Sequence, residues 1–372
     1  MRPPFHPQAL PLSFPLWLER PRRAHLRRRF PRFFNDSGMA EHRAAAAATQ
    51  QRRRSLSGIK PTGTPHLGNY LGFLKPALKL QDTRDTLYFI ADYHALTTVH
   101  DPKVLSSETY ELVAAFAALG MDFERHTFFK QSDVPQVTEL AWLLSCVTPF
   151  GMLTQAHGYK DAVAKGEDVD DGLFQYPVLM AADILIYDSD EVPVGRDQKQ
   201  HLEMTRDIAG RFNHRYGQTF ILPEPRIEED VATIPGVDGR KMSKSYGNEI
   251  PLFSTEQELR KAVMRIVTDS KTVADVKDPD TCNVFQIFRH FADSEAQAHW
   301  AKRYRAGGMG YGEIKQAAFE AINAEIGPFR QPYFALRKDE ARLDAILAQG
   351  GAKARAIAQE VVHRARRRVG LS

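Results

Sequence analysis

The stretch TLYFIA, residues 86–91, is a continuous apolar run set between polar segments, DTRD before it and DYH after it. A run of that length reads as a strand buried on both faces, which arises chiefly in parallel sheets covered by helices above and below. Four more short segments carry strand signals: SLSGI (55–59), TFFKQS (127–132), EVPVG (191–195) and TFILPE (219–224). Helical patterns fall between them. Such alternation predicts a doubly wound, Rossmann-like α/β domain built on a parallel sheet.

The connecting helices are legible from spacing. HLGNYLGFLKPALKLQ (66–81) places Leu67, Leu71, Leu74 and Leu78 three or four apart, and Pro76 predicts a kink near Gly72. After about Phe253 strand signals stop. Ser254 to Gln257 reads as a capping box opening the helix ELRKAVMRIV. The organisation expected is a basic leader over 1–54, a catalytic domain over 55–253 with a helical insertion around 101–175, and an all-helical region over 254–372.

Residues 1–38 hold eight arginines against Glu19 and Asp36, a local charge of +6 within a chain whose net charge is +4. Residues 39–372 therefore carry −2, so the body offers no general electrostatic case for nucleic acid, and any such case needs a local patch. The leader is Pro-rich as well as Arg-rich, and is read as disordered, with Met39 as an alternative first residue and a transit peptide as the other reading. Two distant cysteines, Cys146 and Cys282, make no disulfide framework or metal cluster, which fits a reducing cytoplasm. No apolar run is long enough to span a bilayer.

Six segments hold residues that can do chemistry. PTGTPHLGNY (61–70) follows a strand and opens a helix, so free N–H groups and the positive helix end meet at one place suited to phosphate. Gly68 would let a flat base approach the backbone, and His66 and Asn69 supply donors; an ordinary capped turn explains the same residues. YPVLMAADILIY (176–187) sets Tyr176, Met180, Asp183 and Tyr187 on one helical face. Asp183 stands in apolar company and needs a donor, either an arginine from elsewhere or a ligand with one N–H or O–H on an apolar body. EVPVGRDQKQ runs from a strand through Gly195 to Asp197 and Gln198, at the sheet end where such folds hold ligands, although capping alone would account for Asp197. Tyr88, Asp92 and His94 close the buried strand, where a histidine is more often a satisfied core residue than a catalyst. GRKMSKSYGN (239–248) carries Lys241 and Lys244 on a Gly/Ser-rich segment, which is either a solvated turn or a mobile cationic loop. The last helix packs Ile357, Val361 and Val362 inward and exposes Lys353, Arg355, Arg364, Arg366, Arg367 and Arg368, a stripe fit for a phosphate backbone or simply favoured by the helix dipole.

In that order these segments resemble a known family. SGIKPTGTPHLGNYLG is similar to the first signature of class I aminoacyl-tRNA synthetases and KMSKS to the second, while FIADYHALTT and YPVLMAADILIYDSDEVPVGRDQKQHLEMTRDIA resemble the bacterial tryptophanyl members. The resemblance runs from about Leu56 to the C-terminus. It implies activation of L-tryptophan by ATP with Mg²⁺, followed by transfer to tRNA(Trp). It implies nucleotide contacts at Lys60, Pro61, Thr62, Gly68, Asn69, Gly195, Arg196, Asp197, Lys241, Met242, Ser243, Lys244 and Ser245, with His66, Asn69, Lys241 and Lys244 acting on the phosphates. The amino acid would meet Tyr88, His94, Tyr176, Met180, Asp183, Val192, Val194 and Gln198, with Asp183 accepting the indole N–H and Tyr176 and Gln198 holding the α-amino group. It also implies a homodimer meeting through 139–159.

Two positions depart from the family's habit: Lys60 stands where glutamine is common, and Leu56 where an aromatic is frequent. Cysteines for an iron–sulfur cluster, which some members carry, are too few. A tyrosyl-tRNA synthetase shares the fold and both signatures, and a catalytically retired tRNA-binding paralogue or a small-molecule adenylyltransferase are the readings from other classes.

Overall fold

The computed structural model describes residues 53–195, 198–227 and 234–371, and residues 51–372 form one compact unit. The expectations for the leader, apart from its last two residues, and for Arg196 and Asp197 fall outside the described residues.

Five parallel strands make one sheet: β1 (Arg54–Ile59), β2 (Asp85–Ile90), β3 (Thr127–Lys130), β4 (Glu191–Val194) and β5 (Glu224–Ile227), in the order β3-β2-β1-β4-β5. The chain first builds outward from β1 to β3, then crosses back to the other side of β1. The order thus reverses between β1 and β4, and the crevice beyond their carboxyl ends is where an open α/β sheet takes its ligands. Along β2, Leu87 and Phe89 join one apolar cluster while Tyr88 and Ile90 join the other, on the opposite face of the sheet. Helices cover both faces, as the unbroken TLYFIA run requires.

The helix after β1 accommodates Pro76 without a break. It runs as Leu67–Asn69, a π-type turn Tyr70–Leu74, then Lys75–Leu80, with Pro76 at the start of that last part. The wider turn shifts the hydrogen-bond ladder so that Lys75 N–H reaches the Tyr70 carbonyl, and a proline is tolerated where a new turn begins.

Two sequence expectations are displaced. The last strand starts at Glu224, where TFILPE was expected to end, and Ile221 and Leu222 in the middle of that segment are exposed. It is an edge strand, and its Pro225 is compatible with that position. The capping box sits one residue later than expected: Thr255 Oγ1 accepts from Glu258 N at 3.2 Å and Glu258 Oε2 accepts from Thr255 N at 2.9 Å.

Among the described residues no strand follows Ile227, and helices Glu256–Met264, Asn283–Phe288, Ser294–Ala306, Tyr311–Leu336 and Glu340–Val369 complete the chain. The final helix lies against β3. A Cβ on Gly350 would collide with the Phe128 carbonyl, so the glycine pair inside this helix is a notch for backbone contact. The basic stripe on this helix is largely not a free surface. Lys353 donates to the Phe123 and Glu124 carbonyls, Arg355 to Asp133 O, Arg364 to Asp188 and Thr219 O, and Arg366 to Glu139. These side chains are half-buried and anchor the helix to its neighbours, leaving Arg367 and Arg368 exposed. No helix among the described residues is long and apolar enough to cross a membrane.

Candidate active site

Two cavities open at the β1/β4 switch point, and Phe73 lines both. The larger, about 630 Å³, is walled by Thr62, His66, Gly68 and Asn69 on one side and by Lys241, Met242, Ser243, Lys244 and Ser245 on the other. The two segments are stitched together. Leu67 N donates to Ile250 O at 2.9 Å, Leu252 N to Pro65 O at 2.9 Å, and the Gly68 amide to Met242 Sδ at 3.3 Å. Lys244 Nζ already touches the Thr62 carbonyl across the cavity.

His66 and Asn69 form a reciprocal cap. Asn69 N donates to His66 Nδ1 at 3.3 Å and His66 N donates to Asn69 Oδ1 at 3.1 Å. With Nδ1 accepting, the neutral ring carries its proton on Nε2 and remains a donor. Burial, and next the charge of Lys244, hold the imidazole below its ordinary value, so it stays neutral. Partial desolvation likewise lowers the Lys244 ammonium, opposed by Glu108, Glu249 and Glu111. A Cβ on Gly68 would stand 3.0 Å from the His66 ring, so this glycine makes room for the capping histidine in addition to baring the backbone.

Asn248, absent from the sequence reading, shapes the lysine loop. Its Oδ1 accepts from Ser243 N at 2.8 Å, and its Nδ2 donates to Asp238 Oδ1 at 2.7 Å and Lys241 O at 3.1 Å. It is buried, and its position five residues after Ser243 gives no periodic signal that would have marked it.

The second cavity, about 350 Å³, gathers Lys60, His94, Tyr176, Met180, Asp183, Val192, Val194, Gly195 and Gln198. Phe89, Phe73 and Leu56 complete its apolar wall, so the two phenylalanines supply the aromatic surface that Leu56 lacks. Gly58 lines it too, and a Cβ there would overlap the Phe89 ring. Tyr88 is not part of this wall. It faces the other side of the sheet, donates to Ala77 O at 2.7 Å and is fully buried there, because β2 alternates and Phe89 takes the cavity side.

Asp183 is 2% exposed and does not find an arginine. His94 Nε2 lies 2.8 Å from its Oδ2, and Gln131 Nε2 lies 2.8 Å from both oxygens. Burial raises the carboxyl's pKa, and the hydrogen bonds and charge from His94 and the bond from Gln131 oppose that rise. A carboxylate offers about four acceptor positions, so Oδ1, with one donor, has room for another. Gln131 was missed in the sequence; the only clue was a polar residue directly after a buried strand. The Tyr176 ring lies tilted against that of His94, centroids 4.1 Å apart, and burial, with the Asp183 charge, pushes its hydroxyl up to about 12, keeping it protonated. Lys60 Nζ sits 5.9 Å above the Tyr176 ring and is lowered by burial.

Residues 48–326 match the family model "tRNA synthetases class I (W and Y)". The chain is 49% identical over 318 residues to the tryptophan–tRNA ligase of Rhodopirellula baltica, covering 86% of this chain and 99% of that one. It is 48% identical over 331 residues to the tryptophan–tRNA ligase of Pseudomonas aeruginosa, with 86% and 74% covered. In structure it superposes on the tryptophanyl-tRNA synthetase of Campylobacter jejuni complexed with ADP and tryptophan at TM-score 0.80 and 46% identity, over 86% of this chain and 100% of that one. The chain belongs to the class I tRNA synthetases of the tryptophan and tyrosine family. Within that family it falls among the bacterial tryptophan–tRNA ligases, enzymes that join the amino acid to tRNA.

Proposed function

We propose that the two adjoining cavities hold the two halves of one reaction: ATP in the larger and L-tryptophan in the smaller. The tryptophan carboxylate attacks the α-phosphorus, the bond to the bridging oxygen breaks, and pyrophosphate leaves. The 3′-terminal ribose of tRNA(Trp) then attacks the carbonyl carbon of tryptophanyl adenylate and AMP departs.

The observation that carries this reading is the seating of Asp183, whose carboxylate is clamped by His94 and Gln131 with Oδ1 still able to accept, inside an apolar wall that meets the nucleotide cavity at Phe73. The indole N–H is a lone donor on an apolar bicycle, which suits that arrangement. Tyr176 and Gln198 would orient the α-amino group, and half-buried Lys60 would face the carboxylate or α-phosphate.

Lys241 and Lys244 act on the leaving group. A unit charge pair at about 4 Å is worth about 4 kcal/mol at an effective dielectric near 20. Cations that approach the pyrophosphate as its charge grows lower the barrier beyond what binding ATP achieves. His66 Nε2–H and Asn69 meet the phosphates from the opposite side. Mg²⁺ would arrive on the nucleotide's own oxygens, since among the described residues no cluster of three acidic, His or Cys side chains stands ready to cage it.

Residues 55–253 would form the catalytic part and 254–372 the helical part that serves the tRNA. A homodimer in the cytoplasm completes the proposal. Trp142 and Phe150 are 70% and 71% exposed on the 139–159 segment, an apolar surface that a second copy of the chain would cover.

Exchange of labelled pyrophosphate into ATP tests the reaction. We expect exchange with tryptophan and none with tyrosine or without amino acid. Equal exchange with tyrosine would overturn the substrate, and no exchange at all would favour a retired enzyme.

A further inference from the structure

A third cavity, about 490 Å³, lies on the far side of the Lys75–Leu80 helix from the amino-acid cavity and takes no part in the chemistry above. Lys75, Lys79, Arg226, Arg289 and His290 converge on it, Thr83 adds a hydroxyl, and no carboxylate lines it among the described residues. Like charges gathered in a concave surface repel one another, and they lower the cost of bringing in an anion.

Two of these cations are held by acids. Lys75 Nζ bonds Glu325 Oε1 at 2.7 Å, and Arg226 lies 3.5 Å from Glu191. Glu191 is shared, since Arg84 holds it at 2.7 Å and Arg53 reaches it at 4.0 Å. Lys79 and Arg289 are exposed at the rim and make no ion pair among the described residues. Burial, and next the charges of Arg289 and Lys75, lower the pKa of His290.

Position gives the pocket its meaning. A small cavity of about 120 Å³ shares Pro76 and Leu80 with it, and shares Phe73, Val194 and Gly195 with the amino-acid cavity. The basic pocket is therefore linked through that small cavity to the one proposed to hold the amino acid. Residues 39–372 have no net positive charge to attract RNA, and most of the basic stripe on the last helix is consumed in internal bonds. A local patch is required, and this one has unspent cations.

We propose that this pocket is a second phosphate site, separate from the nucleotide cavity, which takes backbone phosphate of the tRNA. The proposal deepens the function argued above and rests on it for the identity of the RNA. The alternative source of the same chemistry is a free inorganic polyphosphate.

The test uses the full chain with Lys79→Glu and Arg289→Glu combined, and a milder pair, Lys79→Gln with Arg289→Gln, that guards against misfolding. We expect KM for tRNA(Trp) in aminoacylation to rise about tenfold in the reversed pair and less in the neutral pair. The slope of log KM against log salt should become shallower by about 1 to 2, because each phosphate contact contributes about 0.9. kcat and tryptophan-dependent pyrophosphate exchange should not change. In parallel, inorganic tripolyphosphate is titrated calorimetrically into protein whose nucleotide cavity is filled with a non-hydrolysable ATP analogue. Tripolyphosphate binding lost in the variants with an unchanged tRNA KM keeps the phosphate site and assigns it to the free anion. Unchanged tRNA KM and unchanged tripolyphosphate binding together overturn the site. A parent protein that exchanges no pyrophosphate with tryptophan would defeat the function instead, and the tripolyphosphate titration would still decide the pocket.

Discussion

Gln131 Nε2 reaches both oxygens of Asp183 at 2.8 Å while His94 Nε2 holds only Oδ2, so the carboxylate is fixed in plane with Oδ1 the less occupied acceptor. A fixed acceptor in an apolar wall selects ligands by whether they bring the missing proton. With tryptophan seated as proposed, this relationship ties its recognition to a residue, Gln131, that lies 52 positions away in the chain.

Asp183→Ala should raise the tryptophan KM in pyrophosphate exchange by about 10- to 100-fold, the size expected when a hydrogen bond to a charged group is lost. Gln131→Ala should raise it less, through loss of orientation. A KM within twofold of the parent for Asp183→Ala would mean that the carboxylate serves only its two protein partners.

The raised pKa of Asp183 has a defined sign. The folded state holds this proton more tightly than the unfolded chain, so the group's contribution to stability falls as pH climbs from the ordinary carboxyl value of 3.8 through the folded one. Asp183→Asn removes that loss. The difference in unfolding free energy between variant and parent, from urea titrations at a series of pH values, should move in favour of the variant as pH rises and then level off.

Lys244→Ala should reduce the exchange kcat by about 10² to 10³, comparable to removal of one oxyanion-stabilising donor. It should also raise the His66 titration midpoint, because the lysine's charge opposes protonation of the ring. Imidazole proton shifts followed by NMR would show the midpoint moving up. An unchanged midpoint would separate the two groups electrostatically.

Phenylalanine lacks any side-chain donor and would strand the Asp183 carboxylate. Its kcat/KM in exchange should fall below that of tryptophan by about 10⁴, as for other sites built round a polar partner. Discrimination of only about tenfold would show that ring size alone is being read.

Trp142→Glu combined with Phe150→Glu should convert a dimer to a monomer in sedimentation velocity, since two exposed aromatic anchors would become charged. A parent that sediments as a monomer would remove the reason for the proposal.

The strands, the helical tail and most of the site segments were legible because each rests on short-range pattern: an unbroken apolar run, a three- or four-residue spacing, a strand–turn–helix. Where neighbours in the chain compete for one role, pattern loses precision, as with Thr255 rather than Ser254 at the helix cap. Tyr88 shows the same limit on a strand, where a shift of one residue changes the face and Phe89 lines the cavity in its place.

Sequence by itself determined that parallel strands would be covered on both faces, and it marked the lysines and the His66 turn as candidates for the chemistry, since apolar patterning and glycine-rich turns act locally. Only the tertiary structure decided that Gln131 and His94 hold Asp183, that Asn248 shapes the lysine loop, and that the arginines of the last helix are spent on carbonyls and carboxylates. Those are contacts between distant parts of the chain, and a hydrogen bond across the fold leaves no periodic trace in either of the segments it joins.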